Sequence, residues 1–211
     1  VGALARKFDK LFFLDSVSGF GGEALDLEGA GVDLMACTAN KCLHGLPGLA
    51  FVLVSQRGKD HVRQVPARSL YFDLKNLLEH QEKASVPFTP CTPGFYTLNQ
   101  ALDELLAEGV ERRLATYRER SSFLRQQFGA LGLTLYLRPE LLSNSITTFR
   151  LPQGRTYEAI HDALKTDGFV IYAGQGKLMT EVFRVANMGH VPMQVYSELV
   201  EAMRRILSAR A

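Results

Sequence analysis

Three residues stand out by type and setting: Asp15, Lys41 and Arg184. Asp15 closes the run K-L-F-F-L. Lys41 lies in T-A-N-K-C-L-H-G-L-P-G, directly after an apolar stretch, and Arg184 sits inside V-F-R-V-A. An apolar cleft at a strand end favours the free amine of a lysine, the form that attacks carbonyl carbon and makes Schiff bases. Pyridoxal phosphate chemistry needs such a lysine to hold the aldehyde as an imine, and a carboxylate to keep the ring nitrogen protonated. Lys41 and Asp15 have the types for these two roles. Each also has a plainer reading, Lys41 as a solvated surface charge and Asp15 as a strand-end cap. Arg184, between Val182, Phe183, Val185 and Ala186, should bury its stem. Its planar fork would face either a carboxylate or phosphonate ligand or an acidic residue of the chain.

The surrounding pattern says how these residues are held. Residues 10–14 read as a buried strand ending at Asp15, and 32–36 as a second strand ending just before T-A-N-K. The insertion between them, D-S-V-S-G-F-G-G followed by a short helical stretch, is long enough for a crossover, so the two strands can be parallel. The G-L-P-G turn before a third strand at 49–54 is too short for one, which makes that strand antiparallel to the second. In open α/β sheets ligands gather beyond the carboxyl ends of parallel strands, where Asp15 and Lys41 would both lie. An amphipathic helix is expected over 69–83, broken by V-P-F-T-P-C-T-P-G, and then a long helical pattern from 96 to 131 with a break at Gly109. The rest reads as strands at 133–137, 145–151, 170–173 and 182–186, a helix from a Thr156 cap to Lys165, and a final helix from Pro192. The expected architecture is α/β, with a mixed-sheet domain over 1–112 and a small α+β domain over 113–211.

Composition narrows the partners. The chain has 211 residues with 24 Lys+Arg against 22 Asp+Glu, a net charge of +2. No strong field therefore points to nucleic acid or a membrane surface, and a small molecule or a protein is expected instead. No apolar run approaches a bilayer span. Cys37, Cys42 and Cys91 form no C-x-x-C pair and the five histidines show no metal-ligand spacing, so a reducing, cytoplasmic setting and no metal site are expected.

The two motifs D-S-V-S-G-F-G-G and T-A-N-K-C-L-H-G-L-P-G together resemble the cofactor core of the class V, fold-type I aminotransferases. The resemblance implies that pyridoxal 5'-phosphate is the cofactor, that Asp15 contacts the pyridine nitrogen, that Val17 packs on the ring face and that Lys41 carries the imine. It also puts Asn40 near the cofactor phosphate, although Asn40 is equally a turn residue. F-T-P-C-T-P is similar to the family's F-T-P-P-T segment, whose threonine reaches the cofactor phosphate of the other subunit of a homodimer. That position is Thr89, which could otherwise cap the next helix; Cys91 departs from the family's second proline. E-V-F-R-V-A-N-M-G-H-V resembles the family's F-R-I-G-N-I-G strand, whose arginine binds the acidic group of the substrate, here Arg184.

The expected reaction is amino transfer from a small amino donor to a 2-oxo acid. A-N-K-C-x-x-G-x-P-G favours the phosphonate branch, in which 2-aminoethylphosphonate gives its amino group to pyruvate. The alternatives are an alanine:glyoxylate or serine:pyruvate type of activity, or a non-catalytic remnant that needs an N-terminal partner. The resemblance runs over almost the whole chain but only the later part of a family subunit. The upstream part, with its glycine-rich phosphate loop and ring-stacking aromatic, has no match in it.

Overall fold

The protein is described here by a computed structural model, which covers residues 1–209. The chain forms two units, one of Val1–Phe20 with Ala24–Glu104 and one of Gly21–Glu23 with the residues from Leu105 onward.

The first unit opens with the short helix α1 (Gly2–Lys7) and is built on three strands, β1 (Phe13–Asp15), β2 (Leu34–Thr38) and β3 (Ala50–Val54), in the order β1-β2-β3. β1 runs parallel to β2 with Asp15 opposite Ala36, and β3 runs antiparallel to β2 with Ala50 opposite Thr38. The mixed sheet is therefore as the connection lengths require. Two details differ from the sequence reading. The 10–14 run does not form a buried strand: regular pairing starts only at Phe13, whose side chain is 58% exposed, because β1 has a single neighbour in this sheet. Nor does the crossover 16–33 hold a helix. It is a series of turns, with Asp26 Oδ1 accepting from the Gly29 amide at 2.8 Å, since a segment this rich in glycine gains more from turns than from helical bonds. Val32, Met35 and Cys37 form the core of the unit, packed against Phe12, Leu14, Phe20, Leu27 and Phe51.

Three helices follow. α2 (Gln56–Gln64), which the periodicity did not reveal, starts where Ser55 Oγ accepts from the Gly58 amide at 3.1 Å. α3 (Leu74–Glu82) is shorter than the 69–83 reading, because Asp73 Oδ1 accepts from the Lys75 amide and fixes the start there. α4 (Thr92–Glu108) begins inside the proline-rich segment, with Pro93 in the first turn, where a missing N–H leaves no helical bond unmade.

In the second unit α5 (Val110–Ala130) follows Gly109, whose φ of 90° breaks the long helical pattern at the expected residue. Then come β4 (Ile146–Arg150), α6 (Tyr157–Thr166), β5 (Tyr172–Ala173), β6 (Val182–Ala186) and α7 (Met193–Ser208). The sheet order is β4-β6-β5, with both outer strands antiparallel to β6. α6 has the expected cap, Thr156 Oγ1 accepting from the Ala159 amide at 3.2 Å. The segment 133–137 makes only a bridge between Leu135 and Phe149, because Pro139 opens a 3-10 turn that ends the pairing. β5 is likewise reduced to two residues.

The core of this unit joins Leu124 and Phe128 of α5, Phe149 of β4, Ile160 and Leu164 of α6, Phe183 and Val185 of β6, and Leu199 and Met203 of α7. Phe128 and Phe149 lie 5.1 Å apart between ring centroids, and Phe149 and Phe183 lie 5.6 Å apart. Each such side chain stabilises the fold by about 1.5–3 kcal/mol through burial. Alternation along β6 turns Phe183 and Val185 into this core, so Arg184 faces the other side of the sheet.

Candidate active site

The parallel pairing of β1 and β2 brings Asp15 and the Lys41 turn to the same end of the first sheet. Asp15 is exposed, and its Oδ1 accepts from the Val17 amide at 3.0 Å, which turns the chain sharply and fixes the carboxylate. Directly after it the Ser16 amide donates to the Ala36 carbonyl at 2.9 Å, continuing the ladder into the loop. Val17 is half-buried beside the carboxylate. No cation lies within 4 Å of Asp15 among the described residues.

Lys41 sits in a turn wound tightly by its own backbone. The His44 amide donates to the Lys41 carbonyl at 3.0 Å and the Gly45 amide donates to the Ala39 carbonyl at 2.8 Å. His44 has a φ of 67°, a left-handed conformation that histidine visits more readily than most side chains. A Cβ on Gly45 would lie 3.0 Å from the Ala39 carbonyl oxygen and 3.1 Å from the Ala39 Cβ, a tighter fit than most Cβ atoms have, so a side chain here would press on the turn. Lys41 itself is half-buried, and its ammonium makes no ion pair among the described residues. Cys42 Sγ reaches the Ser18 carbonyl at 3.2 Å and so ties the lysine turn to the loop that follows Asp15.

Asn40 is exposed, and its Oδ1 accepts from Thr38 Oγ1 at 2.8 Å, a turn contact that leaves the side-chain amide nitrogen free of protein partners among the described residues. Thr38 Oγ1 also lies 3.0 Å from the Leu49 carbonyl. Thr89 is exposed three residues before α4, and its hydroxyl takes no partner among the described residues. Buried Cys37 has its thiol pushed up to about 11, first by burial and then by the nearby Asp15 charge.

Arg184, in the second unit, lies opposite Thr148 of β4 and Tyr172 of β5. Its Nε donates to the Ala173 carbonyl at 2.8 Å, which sets the plane of the fork, and no carboxylate comes within 4 Å among the described residues. The alternative of an internal ion pair for Arg184 is not met. Sequence spacing gave no hint of a group around Glu23, Ser143, Asn144 and Asn187, because Glu23 lies 120 and 121 residues before Ser143 and Asn144, and Asn187 lies 43 residues beyond Asn144. Nor did it show the Cys42 to Ser18 contact. No group of three or more potential metal ligands occurs among the described residues, and no helix there is long and apolar enough to cross a membrane.

Comparison with known proteins supplies the context. Residues 1–199 match the family described as aminotransferase class-V. A 2-aminoethylphosphonate–pyruvate transaminase of Phocaeicola vulgatus is 33% identical over 207 residues, covering 96% of this chain and 57% of its own length. One of Bacteroides fragilis is 35% identical over 205 residues, covering 95% and 56%. Among solved structures, the alanine–glyoxylate aminotransferase of a Nostoc species superposes with a TM-score of 0.91 at 25% identity, over 98% of this chain and 56% of that one. The chain therefore spans a little over half the length of each of these three relatives.

Proposed function

From the class-V aminotransferase family, to which this chain belongs, we propose a pyridoxal 5'-phosphate-dependent transfer of the amino group of 2-aminoethylphosphonate to pyruvate, giving phosphonoacetaldehyde and alanine. The observation that carries the reading is the parallel β1–β2 pair, with Asp15 at the end of one strand and the Lys41 turn at the end of the other. The donor set fits the cofactor. Asp15 Oδ2 has no hydrogen-bond partner among the described residues and suits a protonated ring nitrogen, while the half-buried Lys41 amine has no acid pairing it there. Asn40, by its free amide nitrogen, and Thr89, by its free hydroxyl, are suited to phosphate oxygens. Thr89 would do this for the cofactor of a second subunit.

When bound, the cofactor supplies an electron-withdrawing ring that eases loss of a proton from the carbon bearing the amino group. Asp15 would hold the proton on the ring nitrogen by charge, and its own orientation is fixed by the Val17 amide. Val17 would offer the ring face an apolar support. Lys41 would hold the cofactor through its amine and would serve as the base that takes the proton from the substrate carbon. Arg184 binds the phosphonate of the donor and the carboxylate of the acceptor through its two Nη groups, since its Nε is already committed to Ala173.

The phosphonate substrate is supported by the relatives at 33–35% identity, whose names state that reaction, and by A-N-K-C-x-x-G-x-P-G. An alanine–glyoxylate activity is the second reading, favoured by the superposition on the Nostoc enzyme. The purified chain, supplied with the cofactor, is assayed for alanine formed from 2-aminoethylphosphonate and pyruvate, and for glycine formed from alanine and glyoxylate. Faster turnover of the first pair supports the proposal, and faster turnover of the second replaces it. Cofactor binding without turnover of either pair refutes amino transfer by this chain.

A further inference from the structure

Within the second unit the Glu23 carboxylate is the centre of a compact clasp. Its Oε1 accepts from Ser143 Oγ at 2.8 Å and from the Asn144 amide at 2.5 Å, while Oε2 accepts from Asn144 Nδ2 at 2.6 Å. Arg125 completes the surroundings. Its Nη2 donates to the Ser143 carbonyl and its Nε to Thr147 Oγ1 at 3.1 Å, and its guanidinium is partly desolvated beside the Glu23 charge. Ser143 Oγ also lies 3.0 Å from Ser145 Oγ and accepts from the Ser145 amide at 3.2 Å. Three donors and a nearby guanidinium on one carboxylate exceed what is needed to satisfy a surface glutamate. The turn 143–145 is held in one conformation.

That turn holds something in its own right. The Asn144 carbonyl accepts from Asn187 Nδ2 at 2.8 Å, and the Ser145 carbonyl accepts from the Asn187 amide at 3.0 Å. Asn187 is 1% exposed and lies three residues beyond Arg184, at the end of β6. The Tyr196 hydroxyl donates to the Asn187 carbonyl at 3.3 Å, so the residue is fixed on several sides. An unbroken set of hydrogen bonds therefore runs from Glu23 through Asn144 to the strand that carries Arg184.

We propose that Glu23 is a positioning residue for Arg184: its carboxylate orders the 143–145 turn, and that turn anchors β6 through Asn187. The proposal rests on the reading of Arg184 as the residue that binds the acidic group of the substrate. It adds that the segment bearing Asp15 also carries, eight residues later, the group that steadies the substrate arginine's strand. The side chain of Glu23 touches neither substrate nor cofactor in this scheme.

The test compares Glu23→Ala, which removes all three acceptor contacts, with Glu23→Gln, whose remaining oxygen can keep the two made to Oε1. Backbone hydrogen exchange is followed by NMR at the Asn144 and Asn187 amides and at β2, and steady-state constants are measured in parallel. In Glu23→Ala both amides should exchange about tenfold faster or more, as loss of charge-assisted hydrogen bonds implies, with β2 unchanged and Glu23→Gln in between. The KM for 2-aminoethylphosphonate should rise in the same order while kcat changes little. Faster exchange at Asn144 with Asn187 unaltered would overturn the proposal, as would a fall in kcat with KM constant. If Glu23→Ala does not fold, Asn144→Ala, which removes the contact to Oε2 alone, tests the same link at Asn187, where exchange should still quicken but by less; no change there would overturn the proposal. A wild-type chain without turnover would count against the aminotransferase reading alone, because the exchange rates still decide whether Glu23 steadies β6.

Discussion

Asp15 ends β1 in register with Ala36 of β2, and the Ser16 amide directly after it donates to the Ala36 carbonyl. The carboxylate is thereby carried on the sheet itself and not on a free loop. Directly beyond the end of β2 the lysine turn begins, closed by the Gly45 amide on the Ala39 carbonyl and tied by Cys42 to the Ser18 carbonyl. A fixed carboxylate and a lysine carried on a fixed turn at one sheet end are the arrangement the proposed chemistry requires.

Arg184 has its Nε committed to the Ala173 carbonyl, and both Nη groups remain for a ligand. Lysine cannot make that divided use of one planar group. Arg184→Lys should therefore raise the KM for 2-aminoethylphosphonate by roughly 10–100-fold, the loss of one or two charge-assisted hydrogen bonds. Unchanged KM in steady-state assays, with the fold intact by circular dichroism, would remove Arg184 from the substrate site.

The thiols should divide by burial. Cys91 is exposed, whereas Cys37 and Cys42 are buried, and the Cys37 thiol is pushed up to about 11. A thiol-reactive chromophore at pH 8 should label one group in the folded chain and three after denaturation. Because the Cys37 thiol is harder to ionise when folded than when unfolded, its contribution to stability is complete below about 9 and is lost as pH rises towards about 11. Urea melts at pH 8 and at pH 10.5 measure this loss, with Cys37→Ala as the variant in which the difference should shrink.

Phe149 lies between Phe128 and Phe183 with no exposed surface, in the middle of the second unit's core. Phe149→Ala should destabilise that unit by about 3–5 kcal/mol. Chemical denaturation monitored by hydrogen exchange in β4 and β6 reads the effect, and a loss under 1 kcal/mol would mean that the cavity is refilled by neighbouring side chains.

Much of this was legible in the sequence, and the parts that were not have physical reasons. Connection length alone distinguished the parallel from the antiparallel neighbour of β2, and Gly109 marked the helix break because only its φ could end the run there. β6 was read residue for residue, since apolar side chains surround Arg184 closely on both sides. Residues 10–14 misled because apolar content does not report how many neighbours a strand has. α2 was missed because its start depends on a single serine cap before a polar stretch. The clasp on Glu23 was invisible because tertiary hydrogen bonds across 120 or 121 residues leave no periodicity.

The central claim is that Lys41 forms the imine with the cofactor aldehyde on this chain. The most direct measurement is the visible absorbance of the purified chain titrated with pyridoxal 5'-phosphate, with Lys41→Ala beside it. The account predicts a stoichiometric band in the wild type that is absent from the variant. A band of equal height in both proteins, or none in a folded wild type at saturating cofactor, would contradict it.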